Sequence, residues 1–224
     1  MIAGLYAVTP DGLPTDTLLD RVEQALLGGV RLLQYRAKPT GAPGMQVGTA
    51  GSRRRLAQAQ AISDRCRAHG AMLIINDDPG LAVAVDADGV HLGRDDGSVR
   101  AARSLLGAGR CIGVSCYDSL DRARAAAAGG ADYVAFGSMY ASAIKPGAVR
   151  APLGLLGQAR AQINLPIVAI GGIDLSNAAE VRDAGAHAFA IISAVFHASD
   201  IGAAVGALRR IADAVPAPRI LVPN

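Results

Sequence analysis

Short runs of aliphatic or β-branched residues recur along the whole chain, and each is followed by a longer segment rich in alanine, leucine and arginine. This alternation is typical of strands and helices that build a parallel βα sheet. The pattern predicts strands over residues 5–9, 31–35, 72–75, 89–92, 112–115, 133–136, 167–170 and 188–192. It predicts helices over residues 15–27, 53–69, a short stretch after 79, 98–106, 119–128, 152–163, 176–184 and 201–215.

Several of the predicted helices end in glycine directly before the next strand, because a sharp helix-to-strand turn favours a left-handed residue there. The glycines in this position are Gly28, Gly29, Gly70, Gly129, Gly130 and Gly185. Eight repeated βα units predict a single (β/α)8 barrel domain over residues 1–224. A doubly wound open sheet is the alternative, but its Gly-x-Gly-x-x-Gly turn is absent after the first strand, where the chain reads Thr9-Pro10-Asp11-Gly12.

Two segments fall outside this repeat. Residues 39–52 form a predicted loop rich in glycine, alanine, proline and threonine directly after strand two. Loops of more than about 12 residues in a compact domain often act as lids, so we expect a lid over the end of that strand. The residues after Pro216 carry two more prolines, and a short surface tail is expected over 216–224.

Composition fits one large soluble domain and excludes several classes of function. Hydrophobic residues make up 51% of the chain, yet no apolar run approaches the roughly 18 residues that suggest a membrane span. The first residues lack a basic leader and an apolar signal segment, so we expect a cytoplasmic protein without a membrane partner. Cys66, Cys111 and Cys116 form no Cys-x-x-Cys pair, which argues for free thiols. The net charge of +3 is mostly dispersed and aromatic residues make up 4%, so no nucleic-acid partner is expected.

Polar side chains gather where the predicted strands end, and in barrel enzymes this C-terminal face holds the active site. Gln34, Arg36 and Lys38 lie two residues apart at the end of strand two, so they share one face. Two cations and an amide converging there suit an anion. The alternative is a strand that runs out into solvent with a charged face.

Two acids follow the next two strands. Asp77 comes after strand three and Asp96 after strand four, so their carboxylates are expected to meet over one hard cation. Mg²⁺ usually takes one or two carboxylates plus waters and substrate phosphates. Helix capping is the alternative role, and it suits Asp78 or Asp95 better. With the strand-two cations and Lys145, the pair predicts a Mg²⁺-dependent diphosphate site.

A second anion site is expected in the loops after strands seven and eight. Gly171 and Gly172 open the first of these loops, and Ser193 follows strand eight. Glycine there lets backbone N–H groups approach a phosphate, although a tight turn is the alternative explanation. Two separate anion sites imply two phosphorylated substrates.

A hydrolase triad is not expected. His91, His187 and His197 are not placed as partners of a nucleophile, and the chain has no Gly-x-Ser-x-Gly elbow. We interpret His91 as a barrel histidine whose hydrogen bonds are satisfied by its neighbours.

Taken in order, these motifs resemble those of the thiamine-phosphate synthase family. The likeness covers nearly the whole chain, from strand two to strand eight. The segments that carry it are Gln34-x-Arg36-x-Lys38, Ile75-Asn76-Asp77, residues 87–93, Gly113-Val114-Ser115, Lys145, residues 170–173 and Ile192-Ser193-Ala194. The resemblance implies a (β/α)8 barrel that condenses 4-amino-2-methyl-5-(diphosphooxymethyl)pyrimidine with 4-methyl-5-(2-phosphooxyethyl)thiazole. The products are thiamine phosphate and pyrophosphate, which leaves before the thiazole nitrogen attacks.

The resemblance also implies roles for individual residues. Those implied to contact the pyrimidine diphosphate are Gln34, Tyr35, Arg36, Ala37, Lys38, Asn76, Ser115 and Lys145. Four of these are implied to be catalytic, namely Arg36, Lys38, Ser115 and Lys145. Those implied to contact the thiazole phosphate are Ser142, Ala143, Ile144, Gly172, Ile192 and Ser193. Asp77 and Asp96 would hold Mg²⁺. The partners expected are small phosphorylated molecules, bound by a monomer or by a homo-oligomer.

Two departures from the family pattern bear on activity. Family members usually carry Pro-Thr-x-Thr-Lys, whereas this chain reads Ala141-Ser142-Ala143-Ile144-Lys145, so Ile144 lacks the usual hydroxyl. A lost hydrogen bond to a charged group is worth roughly 1.5–3 kcal/mol. Arg94 stands where glutamine is common.

Two other functions stay open at this point. A related thiazole tautomerase would have no use for the two acids together with the cations. A non-catalytic phosphate-binding barrel would bind ligand without turnover, and Ile144 favours it most.

Overall fold

The strands close into a barrel. The computed structural model describes residues 2–38, 50–141, 147 and 149–214, and in these ranges eight parallel strands pair in chain order, with the first also paired to the last. The strands are β1 (Gly4–Val8), β2 (Leu32–Tyr35), β3 (Met72–Asn76), β4 (Gly89–Leu92), β5 (Cys111–Tyr117), β6 (Tyr133–Phe136), β7 (Ile167–Ile170) and β8 (Ala188–Ile191). The (β/α)8 fold predicted from the sequence is confirmed.

Helices follow the strands around the outside of the barrel. They are α1 (Thr15–Leu27), α2 (Ala50–Ala68), α3 (Pro79–Ala84), α4 (Val99–Leu106), α5 (Leu120–Ala128), α6 (Gly154–Gln162), α7 (Ala178–Asp183), α8 (Ser193–Phe196) and α9 (Ile201–Asp213). Asp78 caps α3 by accepting a hydrogen bond from the Leu81 amide at 2.9 Å, so its expected capping role is confirmed. No helix in the described ranges has the length and apolar character to cross a membrane.

Alternating side chains of each strand divide the core into two layers. On β1, Leu5 and Ala7 face the helices, whereas Tyr6 and Val8 face the barrel interior. A strand directs successive side chains to opposite faces, so this alternation follows from strand geometry alone. The interior carries tyrosines among its apolar residues, and this polar content bears on the site described below.

The structure corrects several predicted boundaries. Helix α2 begins at Ala50, so residues 50–52 are helical and do not belong to the predicted loop. Residues 39–49 of that loop and the tail at 216–224 lie outside the described residues. The short helix α8 was not predicted, because four residues directly after a strand carry too little periodicity to be recognised.

Candidate active site

A cavity of about 320 Å³ lies at the C-terminal ends of the strands. Its polar lining residues include Gln34, Arg36, Lys38, Asn76, Asp77, His91, Arg94, Asp95, Asp96, Ser115 and Ser138. The candidate diphosphate site expected from the sequence therefore coincides with a real concavity. Barrel enzymes place their chemistry at this end, because each βα loop delivers side chains to it.

The end of β2 carries the predicted anion-binding residues. Gln34, Arg36 and Lys38 line the cavity, as their shared face predicted. Tyr35 faces the other way, into the layer between the strands and the helices, and its hydroxyl donates a 2.7 Å hydrogen bond to Gln58 of α2. Ala37 also packs against that layer. The side chains of these two residues point away from the cavity, so only their backbone atoms are placed to serve a ligand there.

Arg36 has a partner that the sequence did not indicate. Its guanidinium forms an ion pair with Asp11, whose other carboxylate oxygen accepts a 2.9 Å hydrogen bond from the Lys38 amide. Thr9 bonds both the amide and the carbonyl of Arg36, at 2.9 and 3.0 Å. The loop after β1 thus fixes the end of β2, and Asp11 orients the cation.

Asp77 and Asp96 meet at one edge of the cavity, as predicted. Their carboxyl groups hydrogen-bond one another, and the Lys38 ammonium lies 3.0 Å from Asp77 Oδ2. Asp77 has a positive φ of 66°, a conformation that non-glycine residues adopt uncommonly. The Gly93 amide donates a 2.7 Å hydrogen bond to Asp96 Oδ2. Neither of these two acids caps the helix that follows it, since Asp78 and Ser98 fill those positions.

The two carboxyls have opposite pKa shifts. Burial acts to raise the pKa of Asp77, but hydrogen bonds from Asp96 and Lys38 outweigh it and hold that pKa below its usual range. Burial and the adjoining Asp77 carboxylate raise the pKa of Asp96. Two carboxyl groups held this close together offer two hard oxygen ligands to a cation.

The close approach of Asp96 depends on a glycine. A Cβ atom at Gly93 would lie 2.7 Å from Asp96 Oδ2, closer than real Cβ atoms come to a carboxylate oxygen. The described residues contain no group of three or more His, Cys, Asp or Glu side chains able to hold a metal ion. Two carboxylates are nevertheless a usual protein contribution to Mg²⁺, because substrate phosphates and waters complete its shell.

Ser115 lies across the cavity from β2 and contacts His91. Its Oγ is 2.9 Å from His91 Nε2, and His91 Nδ1 is 2.9 Å from the Tyr133 hydroxyl. Burial lowers the pKa of His91 to about 4, so the imidazole is neutral at physiological pH. The interpretation of His91 as a satisfied barrel histidine is confirmed by these two contacts.

Arg94 stands at the rim of the cavity. Its guanidinium carbon lies 4.7 Å from the centroid of the Tyr117 ring, and Arg122 lies 5.5 Å from the same centroid. A cation over an aromatic face is attracted to it, so Tyr117 holds Arg94 beside the site. A register shift between Ser115 and Tyr117 at the end of β5 contributes to this placement.

A second cavity, of about 450 Å³, adjoins the first. It lies between the loops after β7 and β8 and includes the predicted phosphate-binding residues Gly172, Ile192 and Ser193. Gly172 has a φ of 65°, and a Cβ there would overlap the Ala141 carbonyl, so only glycine fits this turn. The other residues implied in the site, Lys145 and 142–144, lie outside the described residues.

Three residues that line the first cavity or contact its lining residues were not foreseen as site residues, and of these only Tyr6 lines the cavity itself. Asp11 follows β1 in what reads as a turn, and Tyr6 and Tyr133 read as apolar members of buried strands. The alternation of side chains along β1 and β6 could in principle have predicted that these tyrosines point into the barrel, since alternate residues of a strand share one face. Their hydroxyl partners depend on which strands adjoin across the barrel, and local sequence does not contain that information.

The closed barrel with its polar C-terminal face defines a (β/α)8-barrel enzyme. Residues 5–195 match the family model described as thiamine monophosphate synthase. The chain therefore belongs to the thiamine monophosphate synthase family.

Individual relatives agree with this membership. A thiamine-phosphate synthase of Aromatoleum aromaticum is 50% identical over 95% of this chain and 98% of its own length. A thiamine-phosphate synthase of an Azoarcus species is 55% identical over 89% of this chain and 92% of its own. Among solved structures, a thiamine phosphate pyrophosphorylase of Pyrococcus furiosus has a TM-score of 0.80 and 32% identity, and the match covers 95% of this chain and 96% of that one.

Proposed function

We propose that the chain condenses 4-amino-2-methyl-5-(diphosphooxymethyl)pyrimidine with 4-methyl-5-(2-phosphooxyethyl)thiazole to form thiamine phosphate and pyrophosphate. The activity follows from family membership and from relatives about half identical over nearly the full chain. The observation that best supports placing this activity in the first cavity is the cluster of Asp77, Asp96 and Lys38 at the cavity edge.

The cluster favours the synthase over a tautomerase. A thiazole tautomerase handles no diphosphate, so it would not need two carboxylates and a lysine beside a second, separate phosphate cavity. A leaving diphosphate would use the lysine directly and the two carboxylates through a bound cation, because the negative charge on the diphosphate grows as its bond to carbon breaks.

Mg²⁺ is the cofactor that the donor set fits. Asp77 and Asp96 would hold the ion, and the ion when bound would neutralise negative charge on the diphosphate. The arrangement supports this because the two carboxyl groups hydrogen-bond one another and both residues line the cavity.

The residues of this chain act mainly on the leaving group. The bond between the pyrimidine methylene carbon and the diphosphate oxygen breaks, and pyrophosphate departs with the electron pair. Lys38 and Arg36 face that charge from β2, with Arg94 at the rim and Lys145 as a further cation. The thiazole nitrogen then forms the new C–N bond with its own lone pair. The step needs no general base, and His91, whose pKa burial lowers to about 4, would be a weak one.

The second cavity is proposed to hold the thiazole phosphate. Gly172, Ile192 and Ser193 border it, and the glycine keeps the backbone free of side-chain bulk. It opens beside the first cavity, with which it shares Ile170, Gly171, Ala190 and Ile192. Shared walls would bring the thiazole nitrogen close to the pyrimidine methylene carbon.

A substitution at Gly93 tests the metal assignment. We expect Gly93→Ala to weaken Mg²⁺ activation about 10- to 100-fold, because the new methyl would displace the Asp96 carboxylate. The measurement is pyrophosphate release as a function of Mg²⁺ concentration. Gly109→Ala is the matched control, because its Cβ would have no heavy atom within 4 Å and its φ, like that of Gly93, is not in the positive range. An unchanged Mg²⁺ requirement in Gly93→Ala would contradict the assignment.

We propose a cytoplasmic location and a single-domain protein. Three free cysteines in the described residues suit a reducing compartment. Cell fractionation checks the location, and sedimentation of the purified protein distinguishes the monomer from a homo-oligomer.

The deciding experiment measures pyrophosphate release by the purified protein given both substrates, with Mg²⁺ and with a chelator. We expect Mg²⁺-dependent release with one thiamine phosphate formed per pyrophosphate. Binding of the thiazole phosphate without any release would instead favour the tautomerase or a non-catalytic binder.

A further inference from the structure

A continuous chain of hydrogen bonds crosses the floor of the first cavity. Gln34 Nε2 lies 2.8 Å from the Tyr6 hydroxyl, and that hydroxyl lies 2.9 Å from the hydroxyl of Tyr133. His91 continues the chain, with Nδ1 2.9 Å from Tyr133 and Nε2 2.9 Å from Ser115 Oγ. The chain therefore joins two cavity residues, Gln34 on β2 and Ser115 on β5, through three buried rings.

The Gln34 amide, which donates to the Tyr6 hydroxyl, gives this chain of hydrogen bonds a direction. Burial raises the pKa of Tyr6 and of Tyr133, so each phenol keeps its one proton. The Gln34 amide donates to the Tyr6 oxygen, and the arrangement that then gives every buried hydroxyl proton an acceptor has Tyr6 donating to Tyr133 and Tyr133 donating to His91 Nδ1. The proton of the neutral imidazole is left on Nε2, which donates to Ser115. The Ser115 hydroxyl proton has no acceptor left in the chain and is free to point into the cavity.

We propose that this relay is a positioning device, in which Tyr133 and His91 hold Gln34 with its Oε1 toward the cavity and Ser115 with its O–H toward the cavity. A hydroxyl oxygen can accept two hydrogen bonds but donates only one, so reversing a single bond would leave a buried hydroxyl proton without an acceptor in the chain. The favoured alternative therefore reverses all of the bonds together. Gln34 would then present N–H and Ser115 an acceptor. The relay thus couples Gln34 and Ser115 on opposite walls of the cavity. Whether each presents a donor or an acceptor depends on the hydrogen bonds of the residues on the cavity floor.

Tyr133 is the residue at which an effect passed along the hydrogen bonds can be distinguished from direct contact with a ligand. It is fully buried and does not line the cavity, whereas Tyr6 and His91 do. Its ring lies against Gly113, where any Cβ atom would overlap it, and stacks on His91 with centroids 5.5 Å apart. The packing fixes its hydroxyl between Tyr6 and His91, so any effect of that hydroxyl on a ligand must pass along the chain.

The relay identifies the ligand group that Gln34 recognises, and this step rests on the proposed function. An acceptor on one wall fits a ring that carries an N–H donor. The 4-amino group of the pyrimidine substrate is such a donor. Tyr133 would therefore contribute to discrimination for an aminopyrimidine without touching it.

The test compares two unreactive competitors, a 4-aminopyrimidin-5-ylmethyl monophosphate and the same compound with hydrogen in place of the amino group. In wild type we expect the amino compound to inhibit about tenfold more tightly, which is the scale of one hydrogen bond. In Tyr133→Phe, the Tyr6 hydroxyl loses its acceptor and becomes free to donate to Gln34 Oε1. The amide is then no longer held, and we expect the preference to fall to about twofold or less.

Ser63→Ala is the matched control. Its hydroxyl donates a buried 2.9 Å hydrogen bond to the Val85 carbonyl, outside the first two cavities, so it loses a comparable bond without altering the relay. We expect its preference to equal that of wild type. A folded Tyr133→Phe protein that keeps the full preference would overturn the proposal.

Nuclear magnetic resonance of the wild-type protein labelled with ¹⁵N-histidine gives a test that needs no variant. We expect His91 to show a protonated Nε2 and an unprotonated Nδ1 at neutral pH. A protonated Nδ1 would reverse the direction of the chain and refute the proposal. If wild type fails to release pyrophosphate, the proposed function fails, while this measurement still decides the direction of the relay.

Discussion

Replacement of Asp77 by alanine is expected to lower turnover about 10³-fold or more and to remove its dependence on Mg²⁺. The side chain is proposed to hold the ion directly, and loss of several kcal/mol of charge stabilisation corresponds to a rate loss of this size. The measurement is steady-state pyrophosphate release at saturating substrates over a range of Mg²⁺ concentrations.

The fold should survive this change. Asp77 caps no helix, and its partners Lys38 and Asp96 both lie at the cavity, where water can reach them. Circular dichroism and the thermal midpoint check this expectation. Loss of the folded state would remove the basis for reading the kinetics as a metal effect.

The adjoining acid supplies a matched control. Asp78→Asn removes one negative charge one residue away, but asparagine remains a good N-cap for α3. The ion pair of Asp78 with Arg55 is partly exposed, at 3.3 Å, so its loss should cost little stability. We expect near wild-type turnover in Asp78→Asn. Equal losses in the two variants, or near wild-type activity in Asp77→Ala, would defeat the metal assignment.

The fold was readable from sequence because local and global signals agree. Each short apolar run is a strand buried on both faces, and glycines such as Gly70 and Gly130 adopt the positive φ that a sharp turn back into the sheet requires. The errors are at edges, where periodicity is weakest. The start of α2 at Ala50 and the four-residue α8 are examples.

The candidate site could be predicted only in part from the sequence. The order of residues shows at which strand end a side chain lies, but not which other side chains it contacts there. The meeting of Asp77 with Asp96 follows from neighbouring strands, and strand order is set by the fold. The pairing of Arg36 with Asp11 depends on how the loop after β1 folds back over β2. The bond between Tyr6 and Tyr133 spans 127 residues across the barrel interior, and no local pattern encodes it.

Lys38→Ala is the second substitution expected to have a large effect, a loss of about 10² to 10³ in kcat. Its ammonium lies 3.0 Å from Asp77 and lines the cavity where the diphosphate is proposed to bind. The charge that it faces grows as pyrophosphate leaves, so its interaction strengthens in the transition state and loss of that interaction lowers kcat more than it raises KM. Steady-state kinetics with varied pyrimidine diphosphate separate the two constants.

Two variants make the Lys38 result specific. Lys38→Arg keeps the charge but not the compact ammonium, so we expect an intermediate loss. Arg53→Ala removes an exposed cation of α2 outside the first cavity, and turnover should stay close to wild type. If Lys38→Ala raised KM with kcat unchanged, the lysine would bind substrate and transition state equally. The leaving-group charge would then be stabilised by the remaining cations and the proposed metal, and Lys38 would serve mainly to hold the Asp77 carboxylate in place.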